Sequence, residues 1–372
     1  MIYDFLVIGG GMAGASAAYE LAEHGHVLLL EAESTTGYHA TGRSAALFTR
    51  NYGGPVVRKI NAISAEFFRS PPLGFCETPL LTPRGCLTVS LGDDDAQLDA
   101  LLALSSPGEE IRPIDQNEAC AMVPFLQKDR VSRAVFEENV TDIDVATLHL
   151  CYLKGAKARG AIIMTEQPVT AMSRGKDIWN VQAANTRFSA KCVINAAGAW
   201  ADRIGAMAGA GPIGLVPKRR TAIIINGPDG LDCTALPAID FAGSDAYIKP
   251  EAGKLMASPG DATPSEPMDA WPDDMDIAML ADWVQRNTTI QVSRIEHSWA
   301  GLRSFVPDEA PVVGADTEVP DFFWLAAQGG YGIMMAPVLA QLTAELCSER
   351  AGPYSDLLAQ ALSPKRLMDL HE

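Results

Sequence analysis

The sequence predicts an α/β protein in which a Rossmann-like dinucleotide-binding domain is intertwined with a second domain. Three observations support this prediction. A chain of 372 residues exceeds the usual size of one hydrophobic core. A short apolar strand, a glycine-rich turn and a helix follow one another near the start of the chain. Two further apolar strands, each followed by a small-residue turn, come far downstream, near residues 192 and 322.

The glycine-rich turn has the G-x-G-x-x-G spacing of a nucleotide fingerprint. A buried parallel strand is predicted over residues 5–8, a helix over residues 12–24 and a second strand over residues 26–30. Gly9 permits the tight turn, Gly11 lets the backbone approach a pyrophosphate, and Gly14 lets the helix pack closely on the strand. The helix N-terminus then faces the phosphates.

An acidic residue, Glu31, closes the second strand about twenty residues after the glycines. A carboxylate at this point accepts hydrogen bonds from a ribose diol and repels a 2′-phosphate, so NADP is disfavoured. A glycine turn used only for packing would not explain why an acid ends an otherwise apolar strand.

The segments that follow favour a flavin over a nicotinamide. Residues 37–47 are small, polar and rich in glycine, where a nicotinamide-binding domain would continue into another helix and strand. The apolar segments at residues 192–195 and 322–327 read as returning strands. The turn at residues 328–333 leads into a helix that runs through residues 334–346, with Pro337 expected in its first turn. This second helix N-terminus can stabilise negative charge on a reduced flavin.

Composition limits the possible partners. The formal net charge of -17 argues against binding to nucleic acid or to an acidic membrane surface. The seven cysteines lack metal-ligand spacing, so we expect buried thiols in a reducing cytoplasm and no metal site. The sequence has no signal-peptide pattern and no apolar run near the ~20 residues of a membrane-spanning helix, so we expect no stable membrane insertion.

Four strings of sequence resemble the D-amino acid oxidase superfamily of FAD enzymes, and within it most closely the bacterial D-arginine dehydrogenases. The strings are residues 37–46, 217–220, 299–305 and 326–333. The resemblance implies a discontinuous Rossmann-like FAD-binding domain of residues 1–85, 141–215 and 298–372. It also implies an α+β substrate domain of residues 86–140 and 216–297, whose mixed sheet covers the flavin.

The resemblance further implies which residues contact FAD. They lie in the glycine turn, at the end of the second strand, in the loop that follows it and in the downstream turns. They are Gly9, Gly11, Ala13, Gly14, Glu31, Ala32, Thr41, Gly42, Arg43, Ser44, Ala45, Ala46, Val169, Ala197, Gly198, Gly301, Gly329, Gly330, Tyr331, Gly332 and Ile333. Relatives that hold flavin covalently carry a cysteine near the segment that corresponds to residues 303–308; this chain has none there, so we expect non-covalent FAD.

On the substrate side, Arg303 resembles the superfamily's arginine that binds a substrate carboxylate, a task for which a planar guanidinium is well suited. The alternative is an ordinary surface arginine. Arg220 resembles a second carboxylate-binding arginine, although charges that begin a strand are often simply solvated. Tyr247, in a predicted hairpin, resembles a substrate-facing tyrosine, with a core aromatic as the alternative. Tyr52 resembles a tyrosine on a mobile covering loop, and Gly330 is expected beside the reacting groups.

At two positions the chain departs from the D-arginine dehydrogenases. Leu47 stands where they have a histidine near the substrate amine, and Cys86 stands where they have the glutamate that receives a guanidinium. Burying a cationic side chain without a countercharge costs several kcal/mol. We therefore expect D-Arg and D-Lys to be poor substrates and uncharged side chains to be accepted.

Three functional hypotheses follow. The favoured one is oxidative deamination of small, uncharged D-amino acids by hydride transfer to FAD, with water converting the imino acid to a keto acid and ammonia. The second is oxidation of a secondary amine or opine-type amino acid. The third is an electron-passing flavoprotein subunit without its own substrate. The sequence leaves open whether oxygen or a quinone-like compound accepts the electrons.

Overall fold

The computed structural model describes residues 1–92, 95–106 and 108–368, and every structural statement below refers to these residues. Its strands are β1 (Ile2–Ile8), β2 (Val27–Leu30), β3 (Leu47–Phe48), β4 (Leu81–Pro83), β5 (Cys86–Ser90), β6 (Ile111–Ile114), β7 (Arg133–Glu137), β8 (Thr141–Ile143), β9 (Ile162–Met164), β10 (Val169–Arg174), β11 (Trp179–Ala183), β12 (Thr186–Asn195), β13 (Val216–Ile225), β14 (Ala238–Phe241), β15 (Tyr247–Glu251), β16 (Lys254–Ser258), β17 (Thr263–Pro264), β18 (His297–Phe305), β19 (Val312–Ala315) and β20 (Phe322–Ala326). Its helices are α1 (Met12–Leu21), α2 (Pro55–Arg69), α3 (Asp95–Leu102), α4 (Gln116–Met122), α5 (Val145–Ala158), α6 (Ala201–Ala208), α7 (Asp274–Asn287), α8 (Gly332–Cys347), α9 (Pro353–Leu362) and α10 (Lys365–Met368).

A largely parallel sheet of eight strands carries the predicted nucleotide fingerprint. Its centre is β9-β2-β1-β12-β20, in which every neighbouring pair is parallel. The antiparallel strand β19 closes one edge, and β10 and β11 extend the first half of β12. All four residues of β2 are buried, as expected for a parallel strand covered on both faces. The two downstream strands predicted from apolar runs therefore do return to the N-terminal sheet.

Two helices differ from their predicted bounds. Helix α1 ends at Leu21, because the last turn tightens into shorter bonds such as the one from the His24 amide to the Leu21 carbonyl. Helix α8 begins at Gly332, so Pro337 lies in its second turn and not in the first. That proline is buried, and its ring removes one intrahelical hydrogen bond.

A mixed sheet of nine strands forms the second layer. Its strands follow the order β17-β13-β16-β15-β14-β5-β7-β6, and β18 also pairs with β13, off this path. The predicted hairpin is confirmed, since β15 and β16 are antiparallel from Tyr247↔Ser258 to Glu251↔Lys254. A small sheet, β3-β8-β4, lies beside these two.

Strand β18 departs from the predicted domain division. The sequence placed residues 298–372 in the cofactor domain, yet β18 pairs with β13 from Val216↔Phe305 to Ile224↔His297 and so belongs to the nine-stranded sheet. The predicted division differs because β18 pairs with β13 along its whole length, and local sequence does not reveal pairing between distant strands. The predicted boundaries elsewhere stay a prediction, and the last four residues of that segment lie outside the described chain. In the described part of the chain, no helix is long and apolar enough to cross a membrane.

Candidate active site

The glycine turn after β1 has the geometry that close approach of backbone requires. Gly9 has a φ of +107°, and a Cβ there would lie 2.4 Å from the Ala196 carbonyl oxygen. A Cβ on Gly14 would lie 1.8 Å from the Gly9 carbonyl oxygen, so only glycine lets α1 pack on the turn. Gly11, at the N-cap of α1, has no side-chain cap, which leaves the helix N-terminus facing the cavity described below.

Glu31 is 8% exposed and is held by two backbone amides. Its carboxylate accepts a hydrogen bond from Gly10 at 2.7 Å and another from Glu33 at 2.9 Å. Each carboxylate oxygen accepts more than one hydrogen bond, so these contacts orient the group without saturating it. Glu31 also lines the cavity, so its side chain remains available to a ribose diol.

A cavity of about 540 Å³ lies between the two large sheets, and its wall contains most of the residues that the sequence assigned to FAD. These residues are Gly9, Gly11, Ala13, Glu31, Ala32, Thr41, Arg43, Ser44, Ala45, Val169, Ala197, Gly198, Gly301, Gly329, Gly330, Gly332 and Ile333. Four others lie behind or beside the wall: Gly14, Gly42, Ala46 and Tyr331. Gly14 and Gly42 instead shape the backbone, since a Cβ on Gly42 would lie 2.8 Å from the Gly37 carbonyl oxygen.

Arg43 connects the loop after β2 to the nine-stranded sheet. Its guanidinium donates to the carbonyl oxygens of Ala270 and Ala300 at 2.9 and 3.0 Å, and it pairs with Asp269 at 2.5 Å. The Trp299 indole donates back to the Arg43 carbonyl at 3.1 Å. The charge of Arg43 is thus already paired within the protein, and its part in the cavity wall is positional.

Two arginines lie together at the substrate side of the cavity. Arg303 on β18 and Arg220 on β13 both line the wall, and the charge of Arg303, after burial, helps to lower the pKa of Arg220. The Arg220 Nε is buried without a hydrogen-bond partner, and its carboxylate neighbour Asp261 stays 4.0 Å away. Within the described residues, no carboxylate lies within ion-pair distance of Arg303. Two cations held in this way form a site for an anion such as a substrate carboxylate.

Tyrosines surround this arginine pair. Tyr52 lies close enough to Arg303 to raise the pKa of its guanidinium, and the Tyr52 ring meets the Tyr331 ring edge-on at 4.9 Å. Tyr52 is 44% exposed, in keeping with a residue on a covering loop. Tyr247 lines the cavity beside both arginines. The sequence assigned Tyr331 to the cofactor, whereas its side chain lies with Tyr52 and the arginines, and burial raises its pKa to about 12.

The two positions that depart from the D-arginine dehydrogenases lie at one small apolar cluster. Leu47 packs against a small apolar cluster that contains Cys86, Val140 and Ala238. The Cys86 thiol donates to Asp240 at 3.7 Å, and Cys86 is the cross-strand partner of Glu137. Burial, with these two acids nearby, holds the pKa of Cys86 well above its ordinary value, so the thiol stays protonated. Cys86 is thus neutral, as expected, but two acids that the sequence did not indicate lie beside it; the expectation that D-Arg and D-Lys are poor substrates stays a prediction.

Sequence reasoning missed Asp240, Glu137 and Asp261. Asp240 is the one charged residue of β14, whose other three residues are buried and apolar. An acid within an otherwise apolar strand was the available signal. Asp261 accepts hydrogen bonds from the Thr221 amide and hydroxyl at 2.7 and 3.0 Å, and no local pattern indicated that contact.

The residues present fit a dinucleotide with a flavin ring. The glycine turn and the open N-terminus of α1 suit a pyrophosphate, and Glu31 suits a ribose. The N-terminus of α8, which has no side-chain cap, contributes Gly332 and Ile333 to the same wall. A helix N-terminus there favours negative charge on the ring system. The arginine pair lines the substrate side of the same cavity, so the cavity can hold a flavin and a small carboxylate together.

Comparisons with known proteins agree with this geometry. The model of the family described as FAD dependent oxidoreductase (DAO) matches residues 4–346. Glycine oxidase of Geobacillus kaustophilus is 23% identical over 382 residues, which cover 94% of this chain and 93% of that protein. Human mitochondrial dimethylglycine dehydrogenase is 24% identical over 360 residues, which cover 90% of this chain and 41% of that protein.

Among solved structures, L-proline dehydrogenase from P. horikoshii is similar with a TM-score of 0.83 and 22% identity, covering 99% of this chain and 98% of that one. This likeness supports the predicted fold class, an α/β architecture with mixed sheets. The particular closeness to D-arginine dehydrogenases stays a prediction.

Proposed function

The chain belongs to the DAO family of FAD-dependent oxidoreductases, and from this premise we propose that it oxidises the C–N bond of an amino acid or a related amine that carries a carboxylate. The observation that carries the proposal is the arginine pair Arg220 and Arg303, partly buried in the cavity wall, where the described residues offer no carboxylate partner to Arg303 and only Asp261, at 4.0 Å, to Arg220. Such a pair suits a small carboxylate held against the flavin.

The chain's own residues would hold both the cofactor and the substrate. The backbone from Gly9 to Ala13, with Glu31, would bind the dinucleotide, and residues 329–333 would face the ring. Bound FAD supplies the acceptor for the hydride that leaves the substrate carbon. Arg303 and Arg220 would fix the carboxylate, and Tyr52 and Tyr247 would cover it and limit the access of water.

The reaction requires alignment and a neutral amine. Loss of a hydride from carbon and of a proton from nitrogen gives an imine, which water hydrolyses to a carbonyl compound and an amine or ammonia. Leu47 stands at the predicted position of a titrating neighbour, so we place no side-chain base there. The amine proton would leave to solvent.

D-amino acids are the favoured substrates, and a secondary amine or glycine is the alternative. The first choice rests on the four sequence strings that resemble the D-arginine dehydrogenases, one of which contains Arg303. The second is favoured by the relatives, whose printed activities concern glycine and dimethylglycine. Anaerobic mixing of the holoenzyme with D-amino acids, L-amino acids, glycine, sarcosine and dimethylglycine tests both. Bleaching of the flavin absorbance by D-amino acids alone supports the first choice, and bleaching by glycine or N-methyl amines supports the second.

A flavoprotein subunit that only passes electrons would show no bleaching with any of these compounds. That result would overturn the proposed function. The same experiment in air, with oxygen or a quinone analogue as acceptor, identifies the oxidant. We propose non-covalent FAD and a cytoplasmic location.

A further inference from the structure

Two acids of the nine-stranded sheet lie beyond the arginine pair, on the face of the sheet that lines the cavity. Asp240 is the cross-strand partner of Tyr247, which lines the cavity. Paired residues on neighbouring strands share a face, so Asp240 points to the cavity side. Asp240 pairs with Thr88 on β5, and Cys86 lies two residues before Thr88, so Cys86 is on the same face as Asp240. Glu137 is the cross-strand partner of Cys86 and shares that face.

Neither acid has a cationic partner. Within the described chain, no lysine, arginine or histidine nitrogen lies within 4.0 Å of the Asp240 or Glu137 carboxylate. Among the described residues, the hydrogen-bond donor to the Asp240 carboxylate is the Cys86 thiol, a weak donor, at 3.7 Å. Glu137, 8% exposed, accepts from the Asn51 amide at 2.7 Å. Glu137 is buried and Asp240 is open to solvent, and the two carboxylates lie close enough for the charge of Asp240 to raise the pKa of Glu137 after burial. Two neighbouring acids without a countercharge favour a bound cation.

The arrangement of charges along this face is therefore asymmetric. Arg303 and Arg220 stand at one end with only Asp261, 4.0 Å from Arg220, as a neighbouring anion, and among the described residues Asp240 and Glu137 stand at the other end with no close cation. Tyr247 lies between the two ends, beside both arginines and paired with Asp240.

The length of the face indicates how far apart the two ends are. Strands β13 and β14 are separated by three ladder steps, which is ~14 Å between their backbones at the usual strand spacing. The arginine side chains shorten this gap from one end. The remaining distance suits a long substrate side chain better than a hydrogen or a methyl group.

We propose that Asp240, supported by Glu137, receives a cationic group at the distal end of the substrate, so that the enzyme prefers amino acids with a basic side chain. This inference rests on the proposed function, since it concerns the same site. It reverses the expectation from the sequence analysis for D-Arg and D-Lys, because the acid that would hold the cation lies on the strand beside Cys86 and not at Cys86 itself.

The test compares matched cationic and neutral compounds on the holoenzyme. The first measurement is kcat/KM for arginine and lysine against norleucine and methionine, each as both enantiomers. The wild type should prefer the cationic member of each pair. Asp240→Asn should reduce that preference about fivefold, the effect expected for an ion pair at a solvent-accessible carboxylate. Glu137→Gln should reduce it less. Asp129→Asn, at an exposed acid in a turn, is the matched control and should change nothing.

The second measurement is binding without turnover. 5-Aminovalerate and valerate differ only in a terminal ammonium, and neither has an α-amine to oxidise. Perturbation of the bound flavin spectrum should give tighter binding of 5-aminovalerate to the wild type and equal binding of the two to Asp240→Asn. Equal or weaker binding of 5-aminovalerate to the wild type overturns the inference, even where the variant fails to fold.

The outcomes separate the two proposals. If the wild type oxidises neutral amino acids best and Asp240→Asn leaves the ratio unchanged, this inference is wrong while the proposed function stands. If no amino acid or amine of any kind reduces the flavin, the proposed function is wrong and the inference falls with it.

Discussion

The Arg303 guanidinium lies directly against Gly330, since a Cβ on this glycine would come within 3.1 Å of Nη1 and 3.3 Å of Cζ. Gly330 belongs to the turn before α8 and Arg303 to β18, so this contact joins the cofactor wall to the substrate wall. We expect Gly330→Ala to displace the guanidinium and raise KM for carboxylate substrates roughly tenfold, since a small misplacement at a reacting centre has large effects. Because Gly330 also belongs to the cofactor wall, FAD content is measured first and KM is compared per FAD-loaded enzyme. Gly211→Ala, whose Cβ would meet nothing within 4 Å, is the control. An unaltered KM in Gly330→Ala would show that the guanidinium does not hold the carboxylate.

Removal of the guanidinium itself should have a larger effect. Arg303→Ala should raise KM strongly while the flavin spectrum stays nearly unchanged, because the proposed partner of Arg303 is the substrate carboxylate. Loss of one buried charge-assisted pair costs about 2 to 5 kcal/mol. Steady-state kinetics on the purified variant gives this value directly. A wild-type kcat/KM would exclude Arg303 from the site.

The purified protein should be yellow and should release intact FAD on denaturation by acid or heat. The fingerprint from Gly9 to Gly14 and the absence of cysteine at residues 303–308 motivate this expectation. Absorbance of the supernatant, with chromatography against FAD, is the measurement. Yellow colour that stays with the precipitated polypeptide would mean a covalent link.

Selectivity for cationic substrates should depend on pH. Partial desolvation against the sheet raises the pKa of Asp240 from 3.8 to about 6, while part of its side chain stays accessible to water. Only the ionised form attracts a cation. The ratio of kcat/KM for arginine to that for norleucine should therefore rise as pH increases through about 6, while titration of the α-amine largely cancels in the ratio. The same ratio in Asp240→Asn should be flat, and a flat ratio in the wild type would contradict this assignment.

Asp240 should also lower the stability of the protein at neutral pH. Its folded-state pKa lies above the ordinary value of 3.8, so between about 3.8 and 6 the folded state binds more protons than the unfolded state. Stability from this group is therefore lost as pH rises through that range. Asp240→Asn should raise Tm at pH 8 and leave it nearly unchanged at pH 4. Thermal unfolding of both proteins at the two pH values measures the effect. An equal change in Tm at both pH values would point to packing instead of charge.

Local chemistry accounts for what the sequence predicted well. The turn from Gly9 to Gly14 and the hairpin that opens at Tyr247 depend on neighbouring residues, and both form as expected. Arg303 and Arg220 were each expected from resemblance, and the ladder between β13 and β18 explains why they meet.

What the sequence could not show depends on contacts between distant segments. Asp240 reaches Cys86 because β14 pairs in parallel with β5, about 150 residues earlier in the chain. Arg43 is paired by Asp269 and the carbonyl of Ala300, which no local pattern links to it. The substrate end of the site is built from such pairings, whereas the nucleotide end is built largely from one continuous segment.

The pairing of β1 has a consequence for how the protein is made. Ile8 pairs with Asn195 on one side, and Asn195 in turn pairs with Trp324. Most of the chain must therefore be synthesised before the sheet beneath the glycine turn is complete, although β1, α1 and β2 are synthesised first. During that interval the apolar edge of β1 has no partner strand and is open to aggregation or to a chaperone. Cofactor loading must then follow synthesis, and the supply of free FAD at that moment sets how much of the newly made protein reaches the stable form.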